Sequence, residues 1–225
     1  MQYGKLLVSA LLMAAIPATT GCGRNAADNQ PTTSIGGGKE DSNKSKDPKS
    51  AQSNFDLIHP QVVIDTSLGK ITVRLNGEKS PLTVENFLAY VEAGLYDQTI
   101  FHQVYKDQAI IAGGYATDLS EIRTKTPVSN EAHNGLKNLR GTIAMLRQVD
   151  VIDGASSQFF INAADNPALD HRGRDPEGYG YCVFGEVVGG MEVADNIANT
   201  QVQDTDKFDR TPVQSVVVKS IRRVK

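Results

Sequence analysis

The sequence predicts a mainly β protein, a closed antiparallel barrel of eight strands, on three observations. Eight β-rich runs follow residue 60, only two amphipathic helical repeats lie among them, and the two kinds never alternate as a parallel sheet requires. The first runs, 62–66 and 70–75, flank Ser67-Leu68-Gly69, which is a hairpin signal. Ser80 and Pro81 then offer an N-cap and a first-turn proline. Val84, Phe87, Leu88 and Val91 recur at i, i+3, i+4 and i+7 before Gly94, so a helix is predicted over 81–93. The further strands are 99–104, 109–112, 141–146, 157–162, 181–188 and 213–224, and a second helix over 191–199 turns Val193 and Ile197 inward.

Length and charge bound what such a barrel does. The 225 residues hold one good-sized domain plus tails, and 40% apolar content suffices for a core. With 23 Lys+Arg against 26 Asp+Glu the net charge is −3, which gives no basic field for nucleic acid. Two cysteines, Cys22 and Cys182, exclude a disulfide scaffold and a four-cysteine zinc site. His59, His102, His133 and His171 lack metal-ligand spacing, so neither a metal nor a cofactor is expected.

The first 21 residues read as an address. Lys5 precedes an apolar run over 6–18 that is too short for a membrane-spanning helix and fits a signal peptide. Thr19-Thr20-Gly21-Cys22 resembles the lipobox of bacterial lipoproteins, with Thr19 where leucine is usual, which implies a lipidated Cys22. An ordinary secretory signal with Cys22 incidental is the plainer alternative. Residues 22–58 show no hydrophobic periodicity and read as the lipidated cysteine followed by a disordered tether, leaving 59–225 as the folded domain. The expected location is the bacterial cell envelope, lipid-anchored and facing periplasm or exterior, with the protein a monomer.

Several ordered motifs then carry a family resemblance. Phe101-His102-Gln103-Val104, Gly113-Gly114, Asn130-Glu131-Ala132, Arg140-Gly141-Thr142-Ile143-Ala144-Met145, Ser157-Gln158-Phe159-Phe160-Ile161-Asn162 and Val183-Phe184-Gly185-Glu186-Val187 resemble a cyclophilin of the bacterial periplasmic type. The likeness spans about 62–224. It implies an eight-stranded barrel capped by two α-helices, with an outer groove for proline-containing polypeptides and peptidyl-prolyl cis–trans isomerase activity. On the matching positions, His102 is a groove histidine, Gln158 a donor to substrate backbone, and Phe160 and Leu169 walls of the proline pocket. Arg147 follows Ala144-Met145-Leu146 on the strand whose backbone pairs with an extended peptide, and bacterial members often have arginine there.

The departures lie in the same groove. The family's catalytic arginine follows the histidine, where this chain has Gln103. The pocket phenylalanine is replaced by Gln108, the pocket methionine by Ala109 and a second glutamine by Ile111. Ala168 stands for an aromatic and Tyr181 for a histidine. Gln103 still carries an N–H, but a neutral donor forms hydrogen bonds roughly half as strong as a charged one. Arg147 is a cation near the groove that nothing in the sequence places. The expectation is therefore an attenuated isomerase with Gln103 and Gln158 as donors. The alternatives are a non-catalytic proline-peptide-binding or chaperone-like envelope module, and a scaffold that does not use the groove. His102 also has a plainer reading as a packed strand histidine.

Overall fold

Alternation of apolar and polar residues builds the first hairpin in a computed structural model that describes residues 58–224. The predicted signal peptide, Cys22 and most of the predicted tether lie outside the described residues. Strands β1 (Gln61–Thr66) and β2 (Gly69–Leu75) pair antiparallel, and the side chains of Val62, Ile64, Ile71, Val73 and Leu75 enter the core. The turn between them is held by Thr66, whose Oγ1 donates to the Gly69 carbonyl at 2.7 Å and accepts the Leu68 N–H at 3.1 Å. Gly69 has φ 135°, and a Cβ there would meet the Val193 side chain at 2.8 Å, so the turn serves as the floor for a helix.

Helix α1 (Pro81–Glu92) buries Thr83, Val84, Phe87, Tyr90 and Val91. Ser80 precedes it as predicted but does not cap it. Its hydroxyl is turned into the protein and donates to the Val183 carbonyl at 2.9 Å. The cap comes from Glu131, whose carboxylate accepts the Leu82 and Thr83 N–H groups at 3.2 and 2.8 Å and the Thr83 hydroxyl at 2.7 Å. A carboxylate there satisfies orphan N–H groups and meets the positive end of the helix dipole.

The predicted strand 99–104 is broken at His102 into β3 (Thr99–Phe101) and β4 (Gln103–Tyr105). There follow β5 (Ala109–Ala112), β6 (Thr142–Met145), β7 (Phe159–Asn162), β8 (Val183–Gly189), helix α2 (Met191–Ala198), β9 (Val202–Gln203), β10 (Thr211–Pro212) and β11 (Val216–Arg223). The large sheet runs β3-β11-β1-β2-β8-β6-β7-β5-β4, so its two edge strands are consecutive in the chain. The nine strands therefore make the predicted barrel, nearly closed, with its seam at His102. The β9–β10 pair is an addition that short polar runs gave no means of predicting.

The barrel interior holds one apolar core, and aromatic rings of α1 fill part of it: Phe87 lies 5.2 Å from both Tyr96 and Phe184 between ring centroids. Strand alternation also makes a second cluster outside. On β5, Ile110 and Ala112 belong to the interior and Ala109 and Ile111 to the outer cluster. On β7, Phe159 and Ile161 point in and Phe160 out. No helix among the described residues is long and apolar enough to cross a membrane.

Removing the distant cap should loosen α1. Glu131→Ala is expected to lower stability by about 1–2 kcal/mol, and Glu131→Gln, which keeps one acceptor oxygen, by less. Urea unfolding followed by circular dichroism measures both, and equal losses would show that the carboxylate's charge rather than its acceptors carries the effect.

Candidate active site

One cross-strand row organises the outer face. Gln103 on β4 is opposite Ile111 on β5, Ile111 opposite Phe160 on β7, and Phe160 opposite Ala144 on β6. Period-two alternation places these four side chains on one face. Leu169, from the turn Pro167–Leu169, and Tyr181 close over the row, joined by a Tyr181 N–H bond to the Leu169 carbonyl at 2.9 Å. The Phe160 and Tyr181 rings meet edge-on at 5.8 Å. The predicted pocket residues Ile111, Phe160, Leu169 and Tyr181 thus come together in one apolar cluster, joined by Tyr105, with half-buried Leu146 at its border. The cluster is filled: Ile111 and Phe160 are each 2% exposed and Leu169 6%.

Gln103 is placed on this row with its amide turned away from solvent. It is 3% exposed. Its Nε2 donates to the Tyr105 hydroxyl at 3.1 Å and to the Asp209 carbonyl at 3.4 Å. Tyr105, two residues along β4, is its same-face neighbour, a signal the strand period could have supplied. Burial first, then Asp209, pushes the Tyr105 phenol up to about 12, so it stays a neutral hydroxyl.

His102 occupies the seam rather than the apolar cluster. Its ring lies 4.8 Å from Tyr115 and 5.0 Å from Phe208, and its Nδ1 is buried without a hydrogen-bond partner. Burial, the largest influence, pulls its pKa down to about 3, against weaker upward pulls from the Ile100 backbone and the Gln158 side chain. Gln158 is half-buried, and its side chain pulls the His102 pKa up and the Tyr115 phenol down, in each case against the larger effect of burial. Gly114 makes the room: a Cβ there would fall 2.6 Å from Gln158 Cγ. Tyr115 and Phe208 had no signal in the sequence beyond being aromatic.

Two other predicted residues serve the walls. Gln108 ends the β4–β5 hairpin with its side chain half-buried, and its carbonyl accepts the Ala163 N–H at 2.8 Å and Asn166 Nδ2 at 2.9 Å. Arg147 is 6% exposed and holds the 176–180 loop. Its Nε donates to the Gly180 carbonyl at 2.9 Å, Nη1 to Gln148 and Val149 carbonyls at 2.9 and 2.6 Å, and Nη2 to Pro176 at 2.6 Å. The guanidinium also sits 5.0 Å from the Tyr181 ring centre. With its donors committed to carbonyls, it is a brace rather than a mobile cation. Burial pushes Tyr181 up to about 12 and Cys182 up to about 11, which leaves both protonated and the thiol unreactive at neutral pH.

A polar chain missed by the sequence reading fixes the wall that carries Leu169. Asp170 Oδ1 accepts the Asn138 N–H at 2.8 Å. Asn162 Nδ2 donates to Asn138 Oδ1 at 3.3 Å, and Asn166 Nδ2 donates to Asn162 Oδ1 at 2.7 Å. Among the described residues no three His, Cys, Asp or Glu side chains converge as a metal site. What the face offers is an apolar floor, amide donors and a rigid wall, suited to holding a ring and biasing a torsion.

The comparisons agree with that chemistry. The family profile described as "Cyclophilin type peptidyl-prolyl cis-trans isomerase/CLD" matches residues 61–223. The chain is 46% identical over 164 residues to "Peptidyl-prolyl cis-trans isomerase A" of Dickeya dadantii (strain 3937), covering 73% of this chain and 84% of that protein. It is 41% identical over 160 residues to "Peptidyl-prolyl cis-trans isomerase B" of Escherichia coli (strain K12), covering 71% of this chain and 97% of that protein. Among solved structures, a cyclophilin type peptidyl-prolyl cis-trans isomerase of Cryptosporidium parvum, determined in the presence of the dipeptide Ala-Pro, matches with TM-score 0.59 and 25% identity. That match covers 73% of this chain and 99% of the other.

The buried His102 makes stability depend on acid. Its folded pKa of about 3 lies below the unfolded 6.5, so the unfolded chain takes up the proton first. Stability is whole above about pH 6.5 and falls by up to about 1.4 kcal/mol per unit as pH drops toward 3. His102→Phe forfeits no hydrogen bond at Nδ1 and is expected to flatten the dependence of Tm on pH between about 4 and 6.5. A variant as acid-sensitive as the wild type would place the titration elsewhere.

Proposed function

This chain belongs to the cyclophilin-type peptidyl-prolyl cis–trans isomerase family, and we propose that it is an isomerase of reduced turnover acting on Xaa-Pro bonds of exported polypeptides. The chemical task is rotation about an amide whose resonance sets a barrier of about 18–20 kcal/mol. No nucleophile is required. A site that binds the twisted imide better than the planar one lowers the barrier, and a donor aimed at the imide nitrogen does so by drawing its lone pair out of resonance. The apolar row of Ile111, Phe160 and Leu169 suits the proline ring, and half-buried Gln158, two residues before Phe160, is the amide beside the seam. The Ala-Pro dipeptide used with the Cryptosporidium parvum relative supports a proline-containing ligand for this face.

The observation that carries reduced turnover is the state of Gln103. The family arginine would bring a charged, multi-donor fork to this position, whereas Gln103 is neutral and its N–H groups face Tyr105 and Asp209. Loss of one preorganised donor costs about 10²–10³ in rate in other enzymes, and a deficit of that order is expected here. The same observation, with Ile111 and Phe160 packed to 2% exposure, also favours a second reading, a proline-peptide-binding or chaperone-like module without turnover. Lipidation at Cys22 and residence in the bacterial envelope complete the proposal and rest on the signal-like run before that cysteine. A cysteine carrying several acyl chains anchors stably at about 0.8 kcal/mol per buried CH₂.

Isomerase turnover of an Xaa-Pro peptide by the whole protein in detergent, beside Gln103→Arg, tests the reading. Low wild-type kcat/KM that rises about tenfold or more in the variant is expected. Full wild-type activity that the substitution leaves alone would overturn attenuation, and no turnover in either protein would select the binding module.

The anchor has its own check. Cys22→Ser is expected to move the protein from the membrane pellet to the soluble envelope fraction. Retention in the pellet would remove lipidation from the proposal.

A further inference from the structure

The groove lost a cation at position 103, and three other cations bond to or stack on residues of the same region. Arg147 has its donors on four backbone carbonyls. Lys207 donates to the Leu119 carbonyl at 2.7 Å and lies 4.5 Å from the Tyr115 ring centre, so it is fixed over the aromatic group around His102. Arg210 differs. Its residue is exposed, its Nε alone is bonded, to the Val104 carbonyl at 3.2 Å, and its two terminal nitrogens enter no hydrogen bond or ion pair among the described residues.

The position of Arg210 is specific. Val104, between Gln103 and Tyr105, donates its N–H to the Arg210 carbonyl at 3.0 Å while its own carbonyl takes Arg210 Nε. Arg210 is therefore pinned at two points to the residue next to Gln103. Its guanidinium carbon lies 5.8 Å from the ring centre of Tyr105, the hydroxyl that Gln103 engages. The preceding residue, Asp209, supplies the other acceptor for the Gln103 amide. The Arg210 backbone is held at φ 54°, left-handed for a residue with a Cβ, and the Arg210 N–H is fixed by Asp204 Oδ1 at 2.9 Å. Such a conformation persists where surrounding contacts impose it.

We infer that Arg210 supplies the charged donor that Gln103 cannot, presenting its terminal guanidinium nitrogens to the substrate at the Gln103–Tyr105 edge of the groove. This rests on the isomerase reading above and deepens it by naming the catalytic cation. Guanidinium reaches from the chain segment 204–210 instead of from the barrel strand. Its anchored Nε and its contact with Tyr105 fix the fork's direction, while the terminal nitrogens remain available to the twisted imide or the adjacent carbonyl of the bound peptide.

Arg210→Asn keeps a residue that tolerates left-handed φ and removes the cation; Arg210→Lys keeps charge without the fork. In the full-length protein Arg210→Asn is expected to lower kcat about tenfold or more with KM within about twofold and Tm nearly unchanged. Arg210→Lys should retain intermediate turnover, and guanidinium ion at low millimolar concentration should restore part of the Arg210→Asn activity. In a Gln103→Arg background the Arg210→Asn loss should shrink to within about twofold, since the strand would again carry its own cation. An active wild type whose Arg210→Asn variant turns over within about twofold of it would overturn the role of Arg210 alone. A fall in kcat matched by a fall in Tm and not rescued by guanidinium would overturn it in favour of a structural role. A wild type with no turnover would remove the isomerase reading and this inference together.

Discussion

Everything on this molecule's outer face depends on where the barrel closes. The sheet begins and ends on one broken strand, with β3 and β4 paired to opposite ends of the same sheet and His102 between them. The break is stable because the His102 backbone N–H still reaches the Ile111 carbonyl at 3.1 Å while its ring leaves the ladder for an aromatic group with Tyr115 and Phe208. An imidazole in that setting has to be neutral, as desolvation of the charged form outweighs the hydrogen bonds that would favour it. The seam also sets the phase of β4, so that Gln103 and Tyr105 face the outer cluster while Val104 faces the core.

From that phase follows the character of the groove. With Gln103 and Ile111 opposed across β4 and β5, a neutral amide and a branched apolar side chain sit where the resemblance implies an arginine and a glutamine. The two changes are mutually consistent. A charged fork at 103 beside Ile111 would have to be desolvated with few acceptors, whereas an amide is satisfied by one hydroxyl and one carbonyl. The apolar side chain in turn packs against Phe160, extending the floor at the expense of polarity.

Much of this was legible in the sequence, and for definite reasons. Strand period and helix period are local, so the hairpin of β1 and β2 and the helix α1 followed from Val62, Ile64, Ile71 and the 84, 87, 88, 91 spacing. The ordered motifs marked Ile111, Phe160, Leu169 and Tyr181 together, and the four share one buried apolar cluster. What failed was the partner of each polar side chain. Ser80 looked like a cap, but the cap is Glu131, in a loop about fifty residues away along the chain. The break at His102 follows from a ring packing on Phe208, over a hundred residues downstream. Arg147 was visible as a cation, yet only the fold of the 176–180 loop fixes it as a brace. Hydrophobic pattern is read within a window, and hydrogen-bond choice among distant loops is not.

The two sides of the groove differ in how firmly they are held, and that difference bears on how a filled floor admits a ring. One wall, carrying Leu169 and Tyr181, is fixed by Asn138, Asp170, Asn162 and Asn166 on one side and by Arg147 on the other. Each of those bonds is buried or half-buried, and breaking one without replacement costs about 1–3 kcal/mol, so the wall as a unit is an unfavourable place to yield. Leu146 at the cluster's border and Gln158 beside the seam are half-buried, and turning one about 30° off its rotamer costs on the order of 0.5–1.5 kcal/mol. On the proposed reading, a proline ring would therefore enter at the Gln158 side, beside the seam, with the far wall fixed. A ring entering there would lie against Phe160 with the rotating imide toward the Gln103–Tyr105 edge, where a donor has to stand if the twisted state is to be favoured over the planar one.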